Sequence, residues 1–332
     1  MKFRIIRYFL TFCTIIFGHY SYAQLMNIDS CLVILKTAKD DTNKVMLLDA
    51  IAWEISYSSL QKGIDYSNQS YNLAKKLNYE RSYARIFNTQ AAIYTDMAEI
   101  PMALDFCLEG LKYAKKHNQL RGQVSLYNSL GNIYSKRKDS KKSLYYYLQS
   151  VAVAKICQPD ILPVAAYGNI VGIYTGYKKL DSAMYYANLC LDYNLKNNNK
   201  DRLSNNYISL SEIYYELKDK DKCFKAATDA VNASIAINDD YTLAHCYIQL
   251  SNAHYLNKNL KLAIEALDKA TICVKKTGDI PALETIAEYY SLYYEELGDF
   301  KNSLKYFKEY KMFRDSALNY ESIQQEKNAE AK

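Results

Sequence analysis

The sequence predicts an all-α protein, an α-solenoid of about seven stacked helical hairpins, and three observations lead to this prediction. The chain of 332 residues contains only 10 glycines and 4 prolines, so residues that break helices are scarce. A pattern of aromatic and small residues returns every 40 residues. Within each copy the apolar residues recur at helical spacing. One hairpin cannot bury its own apolar face, so consecutive copies must stack.

The period is visible in three columns of residues. An aromatic column steps by 40 residues without slippage, and a second aromatic column precedes it by seven residues. A column of small residues follows the first by nine residues, where two helices can cross closely. The first column is Tyr94, Tyr134, Tyr174, Tyr214, His254 and Tyr294, the second is Phe87, Tyr127, Tyr167, Tyr207 and Tyr247, and the third is Ala103, Ser143, Ala183, Cys223, Ala263 and Ser303. Extending the small column back to Gly63 gives seven units, of which the first is degenerate.

Each unit is expected to be two antiparallel helices of about 17 residues each. The helical step of Tyr127, Leu130 and Ile133 is interrupted at short polar stretches, where one helix ends and the next begins. Aspartate and asparagine at these points can cap the following helix, and proline is tolerated in the first helical turn. The predicted caps are Asp139, Asn259 and Asp299, and the prolines at helix starts are Pro101, Pro163 and Pro281.

The first 23 residues are predicted to be a signal peptide that is cleaved after Ala23. A basic segment precedes an apolar stretch that is shorter than the roughly 20 residues of a membrane span, and Ser21 and Ala23 are small. The expected location is therefore periplasmic or secreted, with no integral membrane span after cleavage, and an uncleaved anchor is the alternative. The predicted order is a signal peptide at 1–23, an N-terminal capping helix at 24–41, the repeats at 42–318 and a polar helical tail at 319–332.

Charge and cysteine spacing argue against several classes of function. Without the first 23 residues the chain has 39 basic and 36 acidic residues, so its near-neutral charge gives no support to nucleic-acid binding. Seven cysteines remain, an odd number without CxxC spacing, which indicates neither a disulfide framework nor a zinc site. The sequence has no phosphate loop, HExxH motif or nucleophile elbow. We therefore predict no cofactor, no metal and no enzymatic activity.

The columns resemble the tetratricopeptide repeat, whose pattern is an aromatic, Leu-Gly, Tyr, Ala, an aromatic and Ala. The matching residues of one unit are Tyr127, Leu130, Gly131, Tyr134, Ser143, Tyr147 and Ser150. The resemblance implies a right-handed superhelix, although these units are longer than the usual repeat of about 34 residues. The segments 29–55 and 307–332 resemble the two ends of periplasmic repeat arrays in bacterial sensor histidine kinases and related signalling proteins. The chain is thus expected to be a stand-alone array or an input module without its output domain.

The resemblance also implies that the first helix of each unit lines a concave face that binds a peptide or protein. Asparagine amides in the N-terminal half both donate and accept hydrogen bonds, which suits an extended peptide backbone. Apolar and aromatic residues in the C-terminal half would form side-chain pockets, and glutamates would favour basic ligand residues. The predicted groove residues are Asn88, Asn128, Asn132, Asn169, Thr175, Ile208, Glu212, Tyr215, Ile248, Asn252 and Tyr255. The alternative is that the asparagines are solvated polar residues without a ligand.

Peptide-binding members of the family hold a terminal carboxylate with two asparagines and flanking basic residues. Asn132 and Asn169 match the two asparagines. The basic positions instead hold Asn128, Asn205 and Ser209, so the match does not support recognition of a terminal carboxylate.

The sequence therefore predicts an exported, non-enzymatic interaction module, the input or docking part of a bacterial signalling or envelope system. The expected partner is a peptide or protein, such as a membrane sensor kinase or an envelope protein. The alternative is a structural scaffold that associates through its terminal repeats, because the tyrosine-rich last unit needs a cover.

Overall fold

A computed structural model describes residues 28–156 and 163–330, with side chains described as far as residue 316. These residues form fifteen α-helices and no strand. The helices are α1 Ile28–Thr37, α2 Thr42–Ser56, α3 Leu60–Lys76, α4 Tyr83–Asp96, α5 Ile100–Lys116, α6 Leu120–Lys136, α7 Ser140–Ile156, α8 Val164–Gly176, α9 Leu180–Lys196, α10 Lys200–Glu216, α11 Lys220–Ile237, α12 Asp240–Leu256, α13 Leu260–Thr277, α14 Ile280–Glu296 and α15 Phe300–Glu330. A single 3₁₀ turn, Glu80–Ser82, precedes α4.

The fifteen helices are one short helix followed by seven hairpins, which confirms the predicted fold. Each even-numbered helix from α2 to α14 is the first of its hairpin and packs against the odd-numbered helix that follows it. Even-numbered helices also contact the even-numbered helices of neighbouring hairpins, whereas odd-numbered helices pack between two even-numbered ones. The even-numbered helices therefore form a continuous inner layer, and the odd-numbered helices lie outside it. Helix α1 packs on α2.

Aromatic stacking and small residues join the two helices of a hairpin. The small-residue column is buried, with Ala103, Cys223 and Ala263 fully inaccessible. Beside these crossings, rings of the first helix stack on rings of the second. Tyr134 and Tyr146 have centroids 5.3 Å apart, with an angle of 12° between the ring planes. Such ring contacts recur within four of the described hairpins, whereas His254 of the same column contacts Phe224 of the preceding hairpin.

The predicted helix caps are present. Asp139 accepts a hydrogen bond from the Lys142 backbone N–H at 3.0 Å, and Asp299 accepts one from the Asn302 N–H at 3.1 Å. The third predicted cap, Asn259, accepts from the Leu262 N–H at 3.3 Å. Each side chain satisfies one of the N–H groups that a helix start leaves without a partner.

Helix α8 begins four residues later than the 40-residue period requires. The preceding even-numbered helix starts at Leu120, so the period places the next start at residue 160, but α8 starts at Val164. Pro163 occupies the position before the helix, with φ −83° and ψ 55°. Proline lacks a backbone N–H and restricts the residue before it to extended conformations, which favours a helix start at this point.

Nearly every helix in the described residues ends with one residue in the left-handed conformation. These residues recur every 20 positions, so the turn within a hairpin and the turn between hairpins have the same geometry. At the end of α4, for example, the Ala98 N–H donates to Thr95 O at 3.2 Å and the Glu99 N–H donates to Tyr94 O at 2.9 Å, as in a Schellman motif. The residues are Asn78, Ala98, Asn118, Lys138, Lys178, Asn198, Lys218, Asn238, Lys258, Gly278 and Gly298.

Several predicted boundaries lie at the edges of the described residues. The signal peptide at 1–23 and residues 24–27 of the predicted capping helix lie outside them, as do residues 331 and 332. Helix α15 is continuous across the boundary predicted at 318 and 319. The domain boundaries therefore stay predictions.

Candidate functional site

Three of the predicted groove asparagines are hydrogen bonded to one another on the inner layer. Asn169 on α8 donates from Nδ2 to Asn132 Oδ1 on α6 at 3.1 Å, and the same nitrogen lies 3.5 Å from Asn128 Oδ1. Asn132 Oδ1 also accepts from the Tyr147 hydroxyl at 2.7 Å. The period places these residues on adjacent even-numbered helices, and their amides link the third and fourth hairpins.

The remaining predicted residues of the N-terminal half differ in their partners. Asn88 Oδ1 accepts from the Ser129 hydroxyl at 2.8 Å, which links α4 to α6. The Thr175 hydroxyl oxygen is buried and has no hydrogen-bond partner in the described residues. A buried hydroxyl without a partner is unusual, because it has lost its water without replacing it.

Asn132 and Asn169 line an open cavity of about 380 Å³ on the concave face. The cavity spans the first four hairpins, since its walls come from α2, α4, α6 and α8 together with Tyr147 of α7. Beyond the two asparagines and Tyr147, its walls are Trp53, Ala92, Thr95, Asp96, Ser129, Ser135 and Lys136. The cavity thus combines an indole ring, two amides and one charge of each sign.

The two charged groups in the cavity lie close enough to affect each other. Burial raises the pKa of Asp96, and the nearby Lys136 ammonium partly opposes this rise. Trp53 is 39% exposed, which leaves much of its ring available for contact. Trp53, Asp96 and Lys136 were not among the predicted groove residues, and only the stacking of the hairpins brings them into one cavity.

The C-terminal half of the face is built around Glu212 on α10. Its Oε1 accepts a hydrogen bond from Gln249 Nε2 on α12 at 3.0 Å. Burial raises the pKa of Glu212 to about 7, because the charged form is poorly solvated there. Gln249 Oε1 is buried without a partner in the described residues. Gln249 occupies the same repeat position as Asn169, so the period offered a signal by which it could have been found.

Aromatic residues continue this face towards the C-terminus. Tyr255 stacks on Tyr293 with 5.0 Å between ring centroids, and its hydroxyl donates to the Glu296 carboxylate. Tyr215 is partly buried, with the Lys218 ammonium 4.6 Å from its ring centroid. Ile208 is also partly buried and packs with the core of the fifth and sixth hairpins. These side chains reach the concave face while remaining packed on their neighbours.

Two predicted groove residues are buried, and the groove description is corrected for them. Ile248 is 4% exposed and Asn252 is 8% exposed. Asn252 Oδ1 accepts from the Tyr293 hydroxyl at 3.4 Å, and Ile248 belongs to the apolar core of the last two hairpins. The physical reason is that Ile248 packs into an apolar core with residues of α13 and α14, and Tyr293 of α14 lies against Asn252.

Two further observations concern ions and membranes. Within residues 28–156 and 163–330, no group of three or more histidine, cysteine, aspartate or glutamate residues is placed to hold a metal ion. In the same ranges no helix combines the length and apolar character that crossing a membrane requires.

Comparisons with known proteins place this geometry in a structural class. No protein-family profile matches the chain, and no curated protein does. Solved structures do match. NprR in complex with its cognate peptide NprX is similar with a TM-score of 0.57 and 15% identity, over 92% of this chain and 85% of that one. Aspartyl phosphate phosphatase F from Bacillus subtilis is similar with a TM-score of 0.63 and 16% identity, over 85% of this chain and 73% of that one.

A third similar structure carries the repeat in its name. It is the signal transduction ATPase with a tetratricopeptide repeat sensor, PH0952, from Pyrococcus horikoshii. Its TM-score is 0.62 at 16% identity, over 84% of this chain and 45% of that one. At sequence identities this low, the similarity to these structures shows a shared fold. The seven hairpins, the aromatic and small columns and these structural neighbours together show that this chain has the fold of a tetratricopeptide-repeat solenoid.

Proposed function

We propose that the chain is a non-enzymatic binding module that holds an extended peptide, or an extended segment of a protein, in its concave groove. One observation carries the proposal: Asn132 and Asn169, which are hydrogen bonded to each other beside Asn128, line an open cavity on the inner layer. The likeness to NprR, a protein that binds a cognate peptide, supports the same kind of ligand.

The asparagine cluster retains hydrogen-bonding capacity for a ligand. In the described residues, Asn132 uses its carbonyl oxygen and Asn169 uses its amide nitrogen. The Asn132 Nδ2 donor and the Asn169 Oδ1 acceptor have no protein partner there. A peptide unit offers one acceptor and one donor, so it can bond to both amides at once.

The C-terminal half of the groove adds a preference for basic ligand residues. Glu212 has a pKa of about 7 and is only partly ionised at neutral pH. A lysine or arginine side chain brought next to it would favour the charged form and lower that pKa. The proposed peptide therefore places its basic residue over α10 and α12.

The wider role rests on the sequence. We propose that residues 1–23 direct export and that the module is the input or docking part of a signalling or envelope system. A membrane sensor kinase or an envelope protein is the proposed partner. The likeness to a protein with a repeat-built sensor supports a sensing role.

A peptide-display selection against residues 24–332 tests the groove. Peptides that are enriched would be measured by calorimetry against the wild type and the Asn132→Ala, Asn169→Ala double variant. We expect the double variant to lose at least about tenfold in affinity, since two amide contacts are removed. The matched control is Asn188→Ala with Asn232→Ala, two exposed asparagines on the odd-numbered helices α9 and α11. Equal affinity of all three proteins would remove the groove from the proposal.

Because one structural neighbour is named a phosphatase, enzymatic activity needs its own test. The proposal expects residues 24–332 to release no phosphate from acetyl phosphate above the uncatalysed rate. Catalysed release that follows the purified protein through successive columns would contradict the non-enzymatic assignment.

A structural scaffold is the second candidate function, favoured by apolar residues on the last hairpin. Leu304 is 55% exposed and Phe307 is 47% exposed on α15, and no hairpin among the described residues covers them. The equivalent of Phe307 one unit earlier, Leu267, is fully buried. Light scattering of residues 24–332 and of the Leu304→Glu, Phe307→Glu variant tests this role. A wild type that is monomeric at all concentrations would end the scaffold proposal.

A further inference from the structure

A glutamine on α4 breaks the repeat at a position that is otherwise apolar. Residues 40 positions apart share the same place in successive hairpins, and at this place the other units have Leu130, Ile170, Leu210, Leu250 and Tyr290. Leu130 and Ile170 are fully inaccessible. Gln90 is buried just as deeply, with 2% of its surface exposed.

The buried amide of Gln90 is only partly satisfied. Its Nε2 donates to Asn68 Oδ1 on α3 at 2.9 Å. Its Oε1 is buried and accepts no hydrogen bond in the described residues. Burying a carbonyl oxygen without a hydrogen-bond donor destabilises the folded protein. A leucine at this position would bury apolar surface without that penalty. The packing of the hairpin therefore gives no reason for the glutamine.

Gln90 faces an open cleft of about 700 Å³ on the outer side of the inner layer. The walls come from the odd-numbered helices α3 and α5, and the floor comes from α4. This cleft is separate from the groove, because α4 turns Gln90 and Phe87 towards the cleft and Ala92, Thr95 and Asp96 towards the groove. Gln90, whose buried amide oxygen has no donor in the described residues, thus forms part of the floor of a cleft that is open to a ligand.

Aromatic rings and carboxylates line the same cleft. Tyr71 and Phe87 have ring centroids 5.3 Å apart, and Phe87 and Phe106 have centroids 5.8 Å apart, so the rings form a continuous surface. Asp105 and Glu109 also line the cleft. Glu109 is paired with Lys112 at 3.1 Å, whereas Asp105 is exposed and forms no ion pair in the described residues.

These groups together define the chemistry of a ligand. Aromatic faces and a carboxylate both attract a cation, and an unpaired carbonyl oxygen requires an N–H donor. A guanidinium group meets all three requirements, since it is planar, stacks on rings and carries five donors in a fixed fork. An ammonium group lacks the planar face, and a neutral amide lacks the charge.

We propose that the cleft between α3 and α5 is a second binding site, distinct from the concave groove, that takes an arginine side chain presented by a protein partner. The guanidinium plane lies on the Tyr71 and Phe106 rings. One of its N–H groups donates to Gln90 Oε1, and its charge is balanced by Asp105. The partner is a protein rather than a free small molecule, because the cleft is open to solvent along the outer surface and would enclose only one side chain of a larger body.

The test is an NMR titration of residues 24–332 with Nα-acetylarginine amide, beside Nα-acetylcitrulline amide and Nα-acetyllysine amide. Citrulline has the shape of arginine without the charge, and lysine has the charge without the planar fork. With the arginine probe, we expect saturable chemical-shift changes at residues of α3, α4 and α5. The citrulline and lysine probes should cause much smaller chemical-shift changes at these residues. Equal shifts with citrulline, or with lysine, would overturn the assignment to a guanidinium group.

Variants separate this site from the groove and from folding. Gln90→Leu restores the apolar residue of the other units, so we expect a higher melting temperature together with a loss of at least about tenfold in arginine affinity. Asp105→Asn should weaken binding, while Asp192→Asn, an exposed aspartate on α9, should not. The Asn132→Ala, Asn169→Ala variant should bind the arginine probe unchanged. A stable Gln90→Leu protein that binds arginine as well as the wild type would overturn the proposal.

Discussion

A single glycine connects the packing of the third hairpin to the proposed groove. A Cβ atom at Gly131 would lie 2.3 Å from the Tyr147 ring, which is closer than atoms can approach. The Tyr147 ring is 2% exposed, and its hydroxyl supports Asn132 in the asparagine cluster. The absence of a side chain at residue 131 therefore sets the position of a ring and, through its hydroxyl, of a groove amide.

Gly131→Ala should destabilise the protein by about 1–3 kcal/mol, the usual cost of forcing extra atoms into a packed core. Displacement of Tyr147 should also weaken peptide binding in the groove. Denaturant unfolding measures the first effect and calorimetry the second.

Gly168→Ala provides the control for that substitution. A Cβ at Gly168 on α8 would meet no atom within 4 Å. Because alanine is the better helix former by roughly 1 kcal/mol, this variant should be as stable as the wild type or more stable. Similar losses in both variants would show that the Tyr147 contact does not determine the effect.

Glu212→Gln should change how stability depends on pH. The pKa of Glu212 is raised from 4.5 to about 7 by burial, so the folded protein holds a proton that the unfolded chain releases. The resulting stabilisation is fully present below pH 4.5 and is lost as the pH rises through about 7. The stabilisation cannot exceed about 1.4 kcal/mol for each unit by which the pKa is shifted. Partial exposure of the carboxyl group to water reduces it further.

Thermal melts between about pH 5 and pH 8 measure this effect. Wild-type stability should fall across the range by more than that of the Glu212→Gln variant, whose amide does not titrate. Glu288→Gln, at an exposed glutamate on α14, controls for the loss of a negative charge. Parallel pH profiles for the wild type and Glu212→Gln would contradict the raised pKa.

At the scale of the helix, the left-handed residue that follows most of the described helices is the feature that the sequence analysis did not predict. Glycine is the usual residue there, but among the described turns only Gly278 and Gly298 fit that expectation. The other turns use asparagine, lysine or alanine, so no composition signal marks them. The caps at helix starts were predictable because aspartate and asparagine stand where their side chains are needed.

Ala98 and Gly298 test this feature in opposite directions. Ala98 has φ 61° and Gly298 has φ 75°. A left-handed residue with a Cβ costs about 1–2 kcal/mol, partly offset by the greater freedom of glycine in the unfolded chain. We expect Ala98→Gly to stabilise the protein and Gly298→Ala to destabilise it, each by about 1 kcal/mol in urea unfolding.

Ala152→Gly is the matched control for the Ala98 substitution. Ala152 is exposed in the interior of α7, where glycine should cost roughly 1 kcal/mol. A loss of stability in both alanine variants would indicate that the turn at Ala98 carries no strain.

At the scale of the whole molecule, the 40-residue period was sufficient to predict the architecture. Contacts between stacked hairpins repeat, so the residues that make them repeat and can be read from one sequence. The exposure of individual groove residues was less predictable. Ile248 and Asn252 are buried by contacts with α13 and α14, including the Tyr293 ring, and the three columns do not indicate how far these contacts cover α12. Trp53 and Lys136 line the cavity for a similar reason, since only the stacking brings them together.

Export of the whole chain is a prediction of the sequence that expression can test. Processing after Ala23 should leave a protein that begins at Gln24, and mass spectrometry of the exported fraction would measure its N-terminus. Ala23→Asp should block cleavage, because the peptidase accepts only small neutral residues there. Purified exported protein that retains residues 1–23 would support the uncleaved anchor instead.

The turns that recur every 20 residues also bear on how such a chain changes its length. Because the turn within a hairpin has the same geometry as the turn between hairpins, all the turns that contain these left-handed residues join one helix to the next in the same way. Gain or loss of 40 residues adds or removes one module and leaves the two sides of every other module unchanged. Gain or loss of 20 residues, the length of one helix and its turn, would move every later inner-layer helix to the outer layer and every later outer helix to the inner layer. Duplication in whole modules is therefore the route by which this architecture can lengthen its groove while keeping its existing binding surfaces.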